Sequence, residues 1–258
     1  FPDMDTYNRG RDLYLERIRA AKSALSMPVV ASLNGIHPGS WCEFGRAMQE
    51  AGADALELNV YLLNTDLAVT ASKAEKDLAA LVRQTVSCVT VPVAVKLAPF
   101  YTALPNLARK LKNAGARGLV LFNRFFNPDL DLDKKGIMPR LARTTPDELW
   151  LRLRWLAILY GRVKLDLALS GGVSKPEDAV KAILSGASTV QVTSALYEKG
   201  PEFVGKLASG LDRWLDRNGY ESAEAAKGTM SQKSVEDPGG FERANYLQLL
   251  RAFEEGPR

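Results

Sequence analysis

The sequence predicts an α/β protein built on a parallel sheet, wound either as a barrel or as a doubly wound layer. Two observations carry this. Short apolar runs alternate strictly with helical patterns, joined by brief turns. The main run also lacks alternating-polarity hairpins, so its strands are expected to be covered by helices.

The elements follow in order. Residues 11–25 place Leu13, Ile18, Ala21 and Leu25 at helical spacing. Pro28 leads into VVASLNG, a strand ending at Asn34, and residues 40–51 form a helix closed by Gly52. ALELNVY is the next strand, 62–72 a loop and 74–86 a helix. VPVAVKLAP is a strand, 104–114 a helix closed by Gly115, and GLVLFN a strand. An excursion over 124–145 follows, in which DLDLD and IMPRLAR can form a small β-pair, and 146–159 is helical.

The stretch 165–197 then reads strand, turn, helix, strand, turn. Residues 165–169 are an apolar run of buried-strand length, and Ser170-Gly171-Gly172 ends it. Pro176-Glu177-Asp178 opens a helix with the acidic first turn that the dipole favours. Gly186 closes that helix, 189–192 is a strand, and Thr193-Ser194 follows. Two strand ends thus offer backbone N–H groups and hydroxyls suited to an anion, although the glycines also serve simply as tight turns. Helices over 201–216 and 241–253 complete the chain.

At 258 residues the chain can bury a large core, as one barrel domain or two small ones. Its 34 basic and 30 acidic residues are scattered, which argues against a nucleic-acid footprint. No apolar run approaches the roughly 20 residues of a membrane span. His37 is the only histidine, which excludes histidine-based metal clusters, and no metal site is expected. Cys42 and Cys88 are too few for a disulfide framework and lack metal-ligand spacing. Both are read as packing residues in a reducing, cytoplasmic setting.

Residues two apart on a strand share a face. By that rule Ser32 pairs with Asn34, and Glu57 with Asn59 and Tyr61. Lys96 goes with Ala94, Asn123 with Leu121, and Gln191 with Thr193. Each strand therefore sets polar groups near its carboxyl end, where barrel sites lie. A lysine inside VPVAVKLAP needs an anion or several acceptors. Reaching water at the strand rim, pairing with Glu57 and facing a cofactor or substrate all remain open. Asn34, Asn59 and Asn123 suit the edge of a planar heterocycle. His37 is read as a loop residue.

The motifs ASLNG, ELNV followed by Asn64, VKLAP, LFN, LSGGV before PEDAVKAILSGA, and VTSALYEKGP resemble those of dihydroorotate dehydrogenases. The resemblance is greatest to dihydroorotate dehydrogenase-like relatives. It runs from Pro28 to about Gly228, including GYESAEAAKG. It implies a single-domain (β/α)8 TIM barrel over 1–258 with one FMN, its first two strands expected before Phe1 and a small β insertion near 124–145. Lys96 would sit by the flavin ring, and Asn59 would contact flavin and substrate. Asn64 and Asn123 would hydrogen-bond the substrate, and Asn34, from its strand-end position, is a further substrate-binding candidate. The phosphate would fall to Gly171, Gly172, Thr193 and Ser194.

Three departures qualify this. The family's catalytic Cys or Ser lies three residues after the Asn of ELN, where this chain has Leu62. The residue after Asn123, usually a small hydroxyl residue, is Arg124, which could hold a carboxylate. The family's first two strands, with further flavin and substrate contacts, are not in this sequence. Tyr61 is the substitute candidate for the acid–base group.

The leading expectation is an FMN-dependent oxidoreductase acting on CH–CH groups of a small planar substrate other than dihydroorotate, in or near pyrimidine metabolism. A flavin- or phosphate-ligand-binding barrel without chemistry is one alternative. A lyase or isomerase using Lys96 as a Schiff-base amine is another. A homodimer is left open, and neither nucleic acid nor membrane is expected as a partner.

Overall fold

The computed structural model describes residues 9–34, 38–60, 62–124, 127–138 and 143–243, with 250, 251 and 254. Its chain divides into two compact units, Phe1–Phe125 and Phe126–Arg258.

The first unit runs α1 (Arg9–Ala24), β1 (Val30–Leu33), α2 (Pro38–Glu50), β2 (Ala55–Asn59), α3 (Ala71–Cys88), β3 (Val93–Leu97), α4 (Leu104–Asn113) and β4 (Gly118–Leu121). The four strands are parallel and neighbour one another in sequence order. A doubly wound sheet reverses its strand order at a switch point, whereas barrel winding proceeds in one direction. Within this unit the winding is that of a barrel.

The register separates two faces. Ser32 lies opposite Glu57, Asn59 opposite Lys96, and Lys96 opposite Val120. On the other face Ala31, Leu33, Leu56, Leu58, Val93, Val95, Leu97, Leu119 and Leu121 are all buried. Helices cover that face. Leu104, Leu107, Ala108 and Leu111 of α4 form one buried stripe at helical spacing. Gly45 of α2 would bring an added Cβ to 3.3 Å from Leu56 Cδ1, so that helix sits close against β2. Thr70 caps α3 by accepting the Lys73 N–H at 3.2 Å. The cap starts α3 earlier than its apolar spacing predicts and shortens the preceding loop.

Cys42 and Cys88 are joined in a disulfide, with 5.5 Å between their Cα atoms. This corrects their reading as packing thiols and removes the thiol argument for a reducing compartment. The sequence signal fails because the two positions, 46 apart, meet only when α2 packs on α3.

The second unit opens with the hairpin β5 (Asp129–Asp131) and β6 (Gly136–Met138), which is antiparallel. The predicted β-pair is therefore present but shorter, and residues 139–142 of IMPRLAR lie outside the described residues. Then come α5 (Glu148–Leu159), β7 (Asp166–Ser170), α6 (Pro176–Leu184), β8 (Thr189–Gln191), α7 (Ser194–Lys199), α8 (Phe203–Arg217) and α9 (Ala223–Ala226). Strands β7 and β8 are parallel, with Ser170 opposite Gln191. Val180, Ile183, Leu184, Leu215 and Ala226 form a core cluster joining α6, α8 and α9. In place of the start of a helix over 241–253, a 3₁₀ turn spans Pro238–Phe241, begun by Asp237 accepting the Gly239 N–H. Residues 244–249, 252 and 253 of that expected helix lie outside the described residues. Among the described residues no helix is long and apolar enough to cross a membrane.

Candidate functional site

The candidate residues fall into two groups, one in each unit. In the first unit β2 and β3 set Glu57, Asn59 and Lys96 on the face away from the helices. Lys96 Nζ lies 3.3 Å from Glu57 Oε1, and the two side chains are 18% and 8% exposed. The lysine that looked costly in an apolar strand thus meets a carboxylate, which realises one of its three expected roles. Parallel register explains the pairing: Glu57 sits opposite Ala94, which precedes Lys96 on its own face.

Asn123 Nδ2 donates to Asn59 Oδ1 at 2.7 Å. Alternation had put Asn123 with Leu121, which belongs to the helix-covered face. That expectation is corrected. Strand β4 ends at Leu121, and parity does not extend past the strand. The Asn123 N–H is held at 2.7 Å by Leu97 O, so the residue remains docked to the end of β3. With their mutual bond made, the two amides retain an NH2 donor on Asn59 and a carbonyl acceptor on Asn123. That pair matches an adjacent C=O and N–H on a planar ring.

The other candidates in this unit stand apart in character. Asn34 and Asn64 are exposed loop residues beyond β1 and β2. Leu62 is 45% exposed and carries no group able to take a proton. Arg124, next to Asn123, is half-buried. Tyr61 and His37 lie outside the described residues. Tyr101, shortly after β3, is a titratable group that the sequence did not single out. Burial, then the Glu75 carboxylate, raises its hydroxyl above the usual tyrosine value.

In the second unit the turn after β7 holds Gly171 at φ +96° and Gly172 at φ +84°. An added Cβ on Gly172 would lie 2.6 Å from Leu149 N, so the turn packs backbone to backbone on the first turn of α5. An added Cβ on Gly171 would lie 3.0 Å from Arg152 Nη2. The glycines therefore have a packing reason of their own.

Arg152 is 4% exposed, a buried cation to which sequence patterning assigns no role. Its Nε donates to Ser170 O, and its Nη1 donates to Glu148 O at 2.6 Å. Nη2 lies 3.4 Å from Glu148 Oε2. The signal available beforehand was slight: an arginine within the apolar pattern LWLRLRWLAIL, where burial requires a partner.

Downstream, Asp178 Oδ2 accepts from Ser174 N–H at 2.9 Å, Lys175 N–H at 3.1 Å and the Ser174 hydroxyl at 3.0 Å. Asp178 thus occupies the two backbone donors that immediately precede α6. Ser194 Oγ accepts from Thr144 N–H at 3.1 Å and from Thr144 Oγ1–H at 2.9 Å. Both of its lone pairs are engaged, and the hydroxyl proton remains to donate. Thr193 beside it is exposed.

The dihydroorotate dehydrogenase family model matches residues 3–215. A provisionally named dihydroorotate dehydrogenase A (fumarate) from Aeropyrum pernix is 32% identical over 211 residues, covering 77% of this chain and 66% of the relative. The catalytic subunit of a dihydroorotate dehydrogenase B (NAD(+)) from Methanosarcina acetivorans is 29% identical over 217 residues, covering 82% and 69%. The NAD-dependent dihydropyrimidine dehydrogenase subunit PreA of Escherichia coli K12 is 28% identical over 225 residues, covering 80% and 54%. The chain thus spans about two thirds of the length of the first two and about half of the third.

Proposed function

The chain belongs to the dihydroorotate dehydrogenase family, with the (β/α)8 barrel fold in part, and on that footing we propose that it is an FMN-dependent oxidoreductase. Its substrate is a small planar heterocycle other than dihydroorotate. The observation that carries this reading is the inner-face cluster, where the Lys96–Glu57 pair joins the neighbouring strands β2 and β3 and the Asn59–Asn123 amide pair joins β2 to the residues just past β4.

The donor chemistry fits the cofactor in each unit. The first offers a cation and oriented amides, as a flavin ring and a heterocyclic substrate require. The second offers two positive-φ glycines and the Ser194 hydroxyl as donors to a phosphate. In this proposal Lys96 and Asn59 serve the ring, and Gly171, Gly172, Thr193 and Ser194 the phosphate. When bound, FMN would supply hydride acceptance from a substrate CH–CH bond.

The chain's own residues do the rest. Lys96 supplies positive charge, tempered and fixed by Glu57. Asn59 and Asn123 orient the substrate through one donor and one acceptor, Asn34 and Asn64 line its approach, and Arg124 binds an anionic substituent. Tyr61 moves the proton. Leu62 stands where relatives of this group place a proton acceptor, so dihydroorotate oxidation by that route is blocked.

Leu62 also supports a second reading, a flavin-binding barrel without chemistry. Lys96 as a Schiff-base amine draws no support, because its partner is a carboxylate, the natural counter-ion of an ammonium.

Anaerobic titration of the flavin-loaded full-length protein tests the proposal. Bleaching by a dihydropyrimidine-type compound but not by dihydroorotate is expected. Bleaching by dihydroorotate at an ordinary enzymatic rate overturns the substrate assignment. In that assay Tyr61→Phe should abolish reduction while FMN stays bound, and unchanged kinetics would remove Tyr61 from the mechanism.

A further inference from the structure

We infer that Arg152 is a positioning residue for the phosphate end of the flavin, acting through the Ser170–Gly171 peptide; this rests on the flavin reading above. The geometry is that of one peptide plane. Arg152 Nε donates to Ser170 O, which draws that carbonyl towards α5. In a trans peptide the carbonyl of one residue and the N–H of the next point in opposite directions. The Gly171 N–H is therefore turned away from the guanidinium and out of the turn.

Neighbouring contacts support this orientation. Arg152 is also held by Glu148 O at 2.6 Å, with the Glu148 carboxylate at 3.4 Å, contacts that favour the fork's place beside Ser170. Gly171 packs so close that an added Cβ would lie 3.0 Å from Nη2 and 3.2 Å from Thr144 Cγ2. Gly172 is pinned against the backbone of Leu149. At the far end of the loop Asp178 consumes the Ser174 and Lys175 N–H groups. With those two N–H groups taken, the backbone donors left for an anion in the turn are those of residues 171–173, where Arg152 sets the direction of the first.

Charge acts in the same sense. Arginine remains protonated at every working pH, and at 4% exposure its field is poorly screened by water. Glu148 offsets part of that charge, yet its side chain is 30% exposed against 5% for Arg152. Of this pair the guanidinium is the more buried member beneath the turn.

The test compares FMN with riboflavin, which lacks the phosphate, by flavin fluorescence titration of the full-length apoprotein. Wild type is expected to prefer FMN strongly. Arg152→Met should weaken FMN by about 10- to 100-fold, the range for a lost charge-supported hydrogen bond, with riboflavin changed less than about 2-fold. Arg152→Lys keeps the charge without the planar fork and should fall between. If Arg152→Met does not fold by circular dichroism, the FMN-to-riboflavin ratio of Arg152→Lys decides by the same criterion. Equal weakening of both flavins would make Arg152 merely structural and overturn the inference. A wild type that binds neither flavin, or both equally, would instead overturn the phosphate reading itself.

Discussion

The inner-face cluster of the first unit and the glycine turn of the second, the two halves of the proposed site, present their polar groups by different means. The cluster works through side chains on strands, Glu57, Asn59 and Lys96, whose direction is fixed by alternation. The turn works through backbone groups whose direction is fixed by something else: a buried guanidinium on one side and a capping carboxylate on the other. The difference is one of tolerance. A side-chain site loses one function when one residue changes, whereas a backbone site fails when its packing does.

The largest effect should therefore come from the turn. Gly172→Ala would force a Cβ to 2.6 Å from Leu149 N at a left-handed φ. A loss of about 4 kcal/mol or more in urea unfolding, with loss of FMN binding, is expected. A near-neutral result would show that the turn can move off α5.

Removing the disulfide by Cys42→Ser should cost up to about 4 kcal/mol by the chain-entropy model for a separation of 46 residues. Calorimetry with and without reductant checks this. The inner-face cluster, which does not touch the bridge, should keep its ligand preferences.

Breaking one half of the inner-face ion pair comes next. Lys96→Met leaves Glu57 at 8% exposure without that partner, and about 3 kcal/mol of destabilisation is expected. Adding Glu57→Gln should recover part of it, and a double-mutant cycle reads the coupling. Additive losses would mean that the pair does not act as a unit.

Asn123→Leu deletes the amide bond to Asn59 and should cost about 1 kcal/mol of stability. Its effect on substrate-driven flavin reduction should be far larger than its effect on melting.

The smallest effect lies outside both sites. The Lys22 ammonium, and then the Val29 N–H, hold the Asp54 carboxyl below its usual 3.8. A carboxylate lowered in the folded state adds stability above its unfolded value and loses it as pH falls through the folded one. Asp54→Asn should therefore be less stable than wild type near neutrality, with the gap closing below about pH 4. A gap constant down to pH 2 would contradict the assignment.

What could be read from the chain follows the same division. Strand and helix order, the polar inner face, Lys96 and Asn59 were legible because alternation and apolar spacing are local. Asn123 was recognised as a residue but assigned to the wrong face, since parity ends where β4 ends. Arg152, Thr144 and the Cys42–Cys88 bridge were not legible, because each depends on which elements pack together. Gly171 and Gly172 were visible as residues, yet their close approach to Leu149 and Arg152 was not.

The most direct measurement is the visible absorption spectrum of the purified full-length protein, with its flavin content after release. Flavin bands, about one FMN per chain, and loss of those bands on dialysis sooner in Arg152→Met than in wild type are expected. A colourless protein that takes up no FMN on reconstitution would contradict the flavin reading.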